Sequence, residues 1–236
     1  MYPWGSTSIT LSNNATINGN AKAGTTISGG QIDGTKTPNS PSGPPPQINF
    51  PKIYFDSNAQ QAWLNAGYQI LNLSTCLAAR AAIDAGFTQD TVVRISPQCS
   101  LSWGNNSTIN VPHNLAIITD GSITTVNQTS WNGPTGGGTV YWIRPYQDGG
   151  LGCASGNYDM TASNNTGWNN LKLFVYTQCT INFGNNNSGG ASAQLIGGTV
   201  NLTNQMTINY FPILVPGFNL LGYSSQPSYL REVKNS

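Results

Sequence analysis

Charge is the first thing this chain has little of. Only 7% of its 236 residues are Asp, Glu, Lys or Arg, against about 25% in an average soluble domain. The formal net charge is +1. No basic stripe is present to follow a phosphate backbone, so no nucleic-acid partner is expected. Long apolar runs are also missing. None reaches the ~18 residues of a membrane-spanning helix. The most apolar stretch, "YFPILVPGFNLLGY" (210–223), is broken by Pro212, Pro216 and Gly217. The start, "MYPWGSTS", has no signal-peptide pattern and reads as a mature or trimmed end. Histidine occurs once, as His113 in "VPHN". With no partner motif it reads as a surface or turn residue. No zinc-ligand cluster and no nucleophile-elbow motif is visible, so neither a metal nor a cofactor is expected.

What fills the polar positions is Asn, Thr, Ser, Gln and Gly. Helical proteins wet their outer faces with Lys, Glu and Arg, which suit helices. Thr, Val, Ile, Tyr and Trp suit strands, and Asn and Gly suit turns. The composition therefore points to an all-β chain with many turns. Abundant Asn on such a chain suggests ladders in which stacked amides satisfy one another.

The cysteines number four: Cys76, Cys99, Cys153 and Cys179. None lies in a C-x-x-C motif. Neighbours are separated by similar loops, which favours the pairs Cys76–Cys99 and Cys153–Cys179 over four buried thiols. Each disulfide would contribute ~3 kcal/mol by loop entropy, and oxidised pairs imply an exported protein.

Residues 15–34, "ATINGNAKAGTTISGGQIDG", place a glycine at every fifth position: Gly19, Gly24, Gly29 and Gly34. Fixed-period repetition of this kind reads as a solenoid whose short blocks bury a face only by stacking. Ile9, Leu11, Ile17, Ile27 and Ile32 would form one apolar column, and Lys22, which breaks it, would sit at a turn. The expected organisation is Gly-punctuated solenoid over 1–36, a Pro-rich crossing over 37–51, a helical insertion or cap over 52–90, a main β-helix over 91–215, and a tail over 216–236 that packs back on the solenoid. Within 52–90, "DSNAQQAWLNAGY" and "STCLAARAAIDAG" carry helical spacing, with Asp56 or Ser57 and Ser74 as N-caps and Gly67 and Gly86 as stops. From 91 onward short alternating strands return, separated by "GNN", "DG", "NGPTGGG" and "GNNNSGG". A parallel β-helix fits these irregular loops better than a sandwich built on tight hairpins.

Three segments carry a family likeness: "LAIITDGSI" (115–123), "LFVYTQC" (173–179) and "AQLIGGTVNLTNQMTINYFPILVPGF" (193–218). With the opening Gly-punctuated blocks, they resemble the β-helical ectodomains of bacterial type IV pilus-associated proteins, PilX-type and minor-pilin-like. The resemblance spans nearly the whole chain. It implies a right-handed parallel β-helix at the bacterial cell surface, with pilin or other surface proteins as partners. Members carry a hydrophobic N-terminal helix, which this sequence lacks, so an anchor is expected to be removed or absent. No catalytic motif transfers.

Many β-helices are carbohydrate-active enzymes, so the acids matter. Asp120 and Asp148 could meet on stacked rungs, with Arg94 and Arg144 nearby. Yet "TDGS" and "QDGG" are ordinary turn sequences. The aromatics read either as core filling and loop packing or as a sugar-stacking platform formed by Trp131, Trp142 and Trp168. Tyr141 and Trp142 are adjacent, so on a strand one should be buried and the other exposed. Asn-x-Ser/Thr sequons at Asn14, Asn72, Asn105, Asn106, Asn127, Asn164, Asn186 and Asn201 are read as chance products of composition. In the tail, Tyr229 and Leu230 are expected to clip back onto the solenoid. The reading is a non-enzymatic extracellular β-solenoid acting in adhesion or filament assembly. Its alternatives are a carbohydrate-active enzyme or glycan-binding module, and a self-polymerising fibre subunit.

Overall fold

The computed structural model describes residues 9–17, 21–22, 26–38, 50–96, 98–150, 152–153, 156–184, 191–203 and 208–218. The chain divides into two compact units, Met1–Phe50 and Pro51–Ser236.

In the first unit, β1 (Ile9–Ile17) pairs in parallel with β3 (Ile27–Ile32), and β2 (Ala21–Lys22) with β4 (Lys36–Thr37). Ile17 faces Ile32, and Lys22 faces Thr37. Partners are thus fifteen residues apart, so three of the five-residue blocks make one turn. At the start of β1 the register differs and Ile9 faces Ile27. The backbone register therefore pairs the isoleucines in two sets rather than in one series. Lys22 lies in a strand, not at a turn.

The second unit is a three-faced parallel β-solenoid of about six turns. Its first rung is β5 (Gln69–Leu73) followed by α2 (Cys76–Ala85). The next three rungs each supply a strand to every face. They are β6 (Thr91–Ile95), β7 (Leu101–Trp103) and β8 (Thr108–Asn110), then β9 (Leu115–Thr119), β10 (Ile123–Thr125) and β11 (Ser130–Asn132), then β12 (Gly138–Ile143), β13 (Met160–Ala162) and β14 (Gly167–Asn169). The long β15 (Leu171–Phe183) and β16 (Ala191–Leu202) each run through two faces, and β17 (Ile208–Tyr210) closes the described stack. Face A holds β5, β6, β9, β12, the first half of β15 and of β16, and β17. Face B holds β7, β10, β13 and the second halves. Face C holds β8, β11 and β14.

Side chains alternate, so each rung sends every second residue inward. In-register strands then stack like on like. Val93, Ile117, Trp142 and Val175 form one buried column, Leu101, Ile123, Met160 and Ile181 another, and Ile109, Trp131 and Trp168 a third. Corners repeat as well. Thr119 accepts from the Gly121 N–H at 3.1 Å, and Thr177 does the same for Cys179 at 3.1 Å. Gly121 is required there, because a Cβ would collide with the Cys99 carbonyl.

The middle of face A is dry on both sides, while Asn72 and Lys172 at its ends are exposed. There the outward residues Val92, Ala116, Ile118, Tyr141, Ile143, Phe174 and Tyr176 are buried. Two arms cover them. The first contains Ile53 and α1 (Ser57–Asn65), capped by Asp56, whose carboxylate accepts the Ala59 N–H at 2.9 Å. Trp63 of α1 packs edge-on against Tyr141 at 5.1 Å and Tyr68 at 4.7 Å. The second arm is 211–218. Its Ile213 and Val215 are buried, and its Leu214 carbonyl accepts from the Tyr141 hydroxyl at 3.1 Å. Tyr176 donates to the Pro51 carbonyl at 2.6 Å and accepts from the Ile53 N–H at 3.2 Å. A parallel sheet covered on both faces reads as continuous apolar sequence, which is why "LAII", "VYWI" and "LFVY" show no alternation.

The expected helices form, in different roles. α1 lies along a side. α2 takes the place of the face B and C strands in the first rung and closes that end, with Ala79 and Ile83 in the core. Thr75, not Ser74, is its N-cap. The solenoid body starts at β5, inside the stretch expected to be helical. Both expected disulfides, Cys76–Cys99 and Cys153–Cys179, are present. The first ties α2 to the segment entering face B. Tyr229 and Leu230 lie outside the described residues.

Candidate functional site

Of the two readings of the three tryptophans, core filling is the one the structure bears out, and the sugar platform is not formed. Trp131 and Trp142 are 0% exposed and Trp168 is 6% exposed. Stacking on a sugar needs an open ring face, and these faces are taken. Trp131 stacks on Trp168 at 5.7 Å, Trp142 meets both edge-on, and Trp103 closes the cluster on Trp131 at 5.0 Å. The indole N–H groups of Trp131, Trp142 and Trp168 have no hydrogen-bond partner among the described residues. Tyr141 and Trp142 are both buried, because the arms cover the side of face A on which Tyr141 stands.

Nor are Asp120 and Asp148 brought into one cleft. Asp120 receives both hydrogen bonds from Arg94 Nη2, at 2.9 and 2.7 Å. Asp148 sits on the surface with Lys52 at 3.1 Å and the Tyr54 hydroxyl at 3.1 Å, and these partners hold its carboxyl below the usual range. Arg144 is buried, donates to the Pro145 carbonyl at 3.0 Å and lies over the Tyr158 ring at 4.6 Å. Burial lowers its pKa from the ordinary guanidinium value. It fastens the segment between β12 and β13 to the body. His113 is half-buried in the bend between β8 and β9. Among the described residues no cluster of His, Cys, Asp or Glu could hold a metal ion, and no helix is long and apolar enough to cross a membrane.

What the fold does assemble on its outside is neutral ladders. On face B the outward column runs Ser102, Thr124, Thr161, Asn182 and Asn201. Asn201 donates to Asn182 at 2.9 Å, and beside them Ser122 donates to Ser100 at 2.8 Å. On face C the column is Asn110, Asn132 and Asn169, with Asn132 donating to Asn110 at 3.4 Å and Asn169 to Asn132 at 2.7 Å. The corners leading into face C are also equivalent. Asn106, Gln128 and Asn165 hold φ near +60°. The hydroxyl that follows each donates three residues back: Ser107 to Gly104, Thr129 to Val126, Thr166 to Ser163.

These corners and ladders come from one sequence repeat: "NNSTIN" (105–110), "NQTSWN" (127–132) and "NNTGWN" (164–169). The sequons at Asn105, Asn127 and Asn164 are its corner, so architecture rather than composition accounts for them. The same repeat marks the ladder, a signal that reading the sequons one by one conceals. A third feature lies beside it. A groove of about 450 Å³ is lined by Asp84, Gly86, Asn110, Pro112, Asn132 and Pro134, among others. Nothing in the sequence joins Asp84 to Asn110, which α2 and the rungs bring together.

The class of protein these observations define is a disulfide-bonded parallel β-solenoid with neutral, ladder-bearing outer faces. Comparison with protein-family models, with curated proteins and with solved structures gives no match to this chain.

Proposed function

We propose that this chain is a non-enzymatic, extracellular, pilus- or cell-surface-associated β-solenoid acting in adhesion. The observation that carries this reading is the pair of uncharged Ser/Thr/Asn ladders on faces B and C. Such surfaces offer closely spaced donors and acceptors on a stiff frame, and no charge to attract counter-ions. They suit large, neutral, hydrogen-bonding partners. The two disulfides are in keeping with an oxidising compartment. Asp120, one of the two acids weighed for catalysis, is held by Arg94.

The test is retention of beads carrying the oxidised chain on polysaccharide-coated and protein-coated surfaces, with mass spectrometry of each coating. Retention without cleavage is expected, and Thr124→Glu with Thr161→Glu should weaken it. Shortened polymer would overturn the reading in favour of an enzyme. Retention indifferent to ladder charge would remove the ladders from it.

Filament assembly has separate support. In the last described rungs Val200, Leu202 and Tyr210 are 40%, 48% and 73% exposed, whereas α2 closes the opposite end. Concentration-dependent sedimentation abolished by Leu202→Glu would favour this second reading.

A further inference from the structure

The groove beside the face C ladder has a definite chemistry. Asp84 stands near the C-terminal end of α2. Its Oδ1 accepts from the Trp103 indole at 2.8 Å and its Oδ2 from Arg80 Nε at 3.2 Å. Each oxygen retains a further lone pair, and the side chain is 43% exposed. Asn110 ends the ladder. Its Oδ1 accepts from Asn132, and its Nδ2 has no partner among the described residues. The groove therefore offers an open amide donor and an open carboxylate acceptor. Pro112 and Pro134 add saturated rings to its lining.

Charge narrows the ligand. Asp84 repels an anion, and a cation would have to displace Arg80 from it. A neutral molecule that both donates and accepts, and has a C–H face, meets every group. A pyranose ring has that makeup: hydroxyls around its rim and C–H bonds on its faces. The groove is open to solvent, and its volume of about 450 Å³ leaves room for one ring laid against its wall.

We propose that this groove is a subsite for one neutral sugar residue of an extracellular polysaccharide. Asn110 Nδ2 donates to a sugar oxygen, Asp84 accepts a sugar hydroxyl, and the prolines take the C–H face. The inference rests on the adhesion reading above and gives it a ligand class and an address.

The experiment is titration of the oxidised full chain by ligand-observed NMR. The probes are short gluco-, manno-, xylo- and chito-oligosaccharides, with oligogalacturonate as the acidic control. Two variants attack the groove: Asn110→Leu removes the donor, and Thr135→Trp, at an exposed lining residue, fills the space. Asn169→Leu damages the same ladder outside the groove. Circular dichroism of each variant verifies folding. Binding of a neutral oligomer should weaken roughly tenfold or more in the first two and persist in the third. Equal binding by all three variants would overturn the groove as the site and leave the adhesion reading standing. Binding of oligogalacturonate alone would overturn the neutral class. No binding of any probe would overturn the inference, and bead retention on protein coatings would then decide the adhesion reading independently.

Discussion

On face A the outward residues of successive rungs include Val92, Ala116, Tyr141 and Phe174. On face C the outward column runs Asn110, Asn132 and Asn169. Both are laid down by the same winding, and both stack in register. They differ in what lies outside them. The arms 51–68 and 211–218 exclude water from face A, so apolar side chains are favoured on both sides of its strands. Face C has no such cover among the described residues, and its column consists of amides that bond to one another. A solenoid repeats its inward pattern by necessity, while its outward pattern is free to record what each face meets.

Substitutions at graded distances from the core sharpen this contrast. The largest loss is expected inside, where all three faces meet. Trp131→Ala removes a ring packed against three other tryptophans and should cost about 3–5 kcal/mol in urea unfolding. Replacing Cys153 and Cys179 together by serine should cost about 3 kcal/mol, since a loop of 26 residues is released in the unfolded chain. Tyr176→Phe acts on the cover alone. It strands the Pro51 carbonyl and Ile53 N–H, should cost about 1–2 kcal/mol, and should raise hydrogen exchange in the 51–68 arm before it affects face C. Asn132→Ala, on the wet ladder, should cost less than about 1 kcal/mol. If it matched Trp131→Ala, the division into structural interior and available surface would fail.

Alkali should tell the two regions apart as well. Burial raises the phenol pKa of Tyr68, Tyr141 and Tyr176 above the ordinary value. The folded chain therefore keeps these protons while the unfolded chain loses them near pH 10. Stability is fully present below that pH and falls as pH rises above it. Ultraviolet titration should show a set of tyrosines that ionises only with unfolding of the covered face.

Much of the fold was legible because a parallel solenoid writes its period and turn chemistry into the chain. Strand-rich composition, Asn- and Gly-rich turns and evenly spaced cysteines predict the solenoid and both disulfides. The sequence misleads where burial depends on distant segments. Tyr141 beside Trp142 suggested one wet and one dry ring, and only the arms make both dry. Trp131 and Trp168, each flanked by Asn or Gly, left a core and a surface reading open, and alternation turns them inward. "QILNL" lies inside the stretch expected to be a helical insertion, yet it forms β5. The ladder was written in "NNSTIN", "NQTSWN" and "NNTGWN". The groove was not, because Asp84 joins it only through the placement of α2.

The measurement closest to the central claim is carbene footprinting of the oxidised chain, free and bound to whichever coating retains it. The account predicts protection along the outward residues of faces B and C, strongest around Asn110, Asn132 and Pro134, with the 211–218 arm unchanged. Protection confined to that arm or to the exposed rung at Val200 and Leu202, or the absence of retention on every coating, would contradict it.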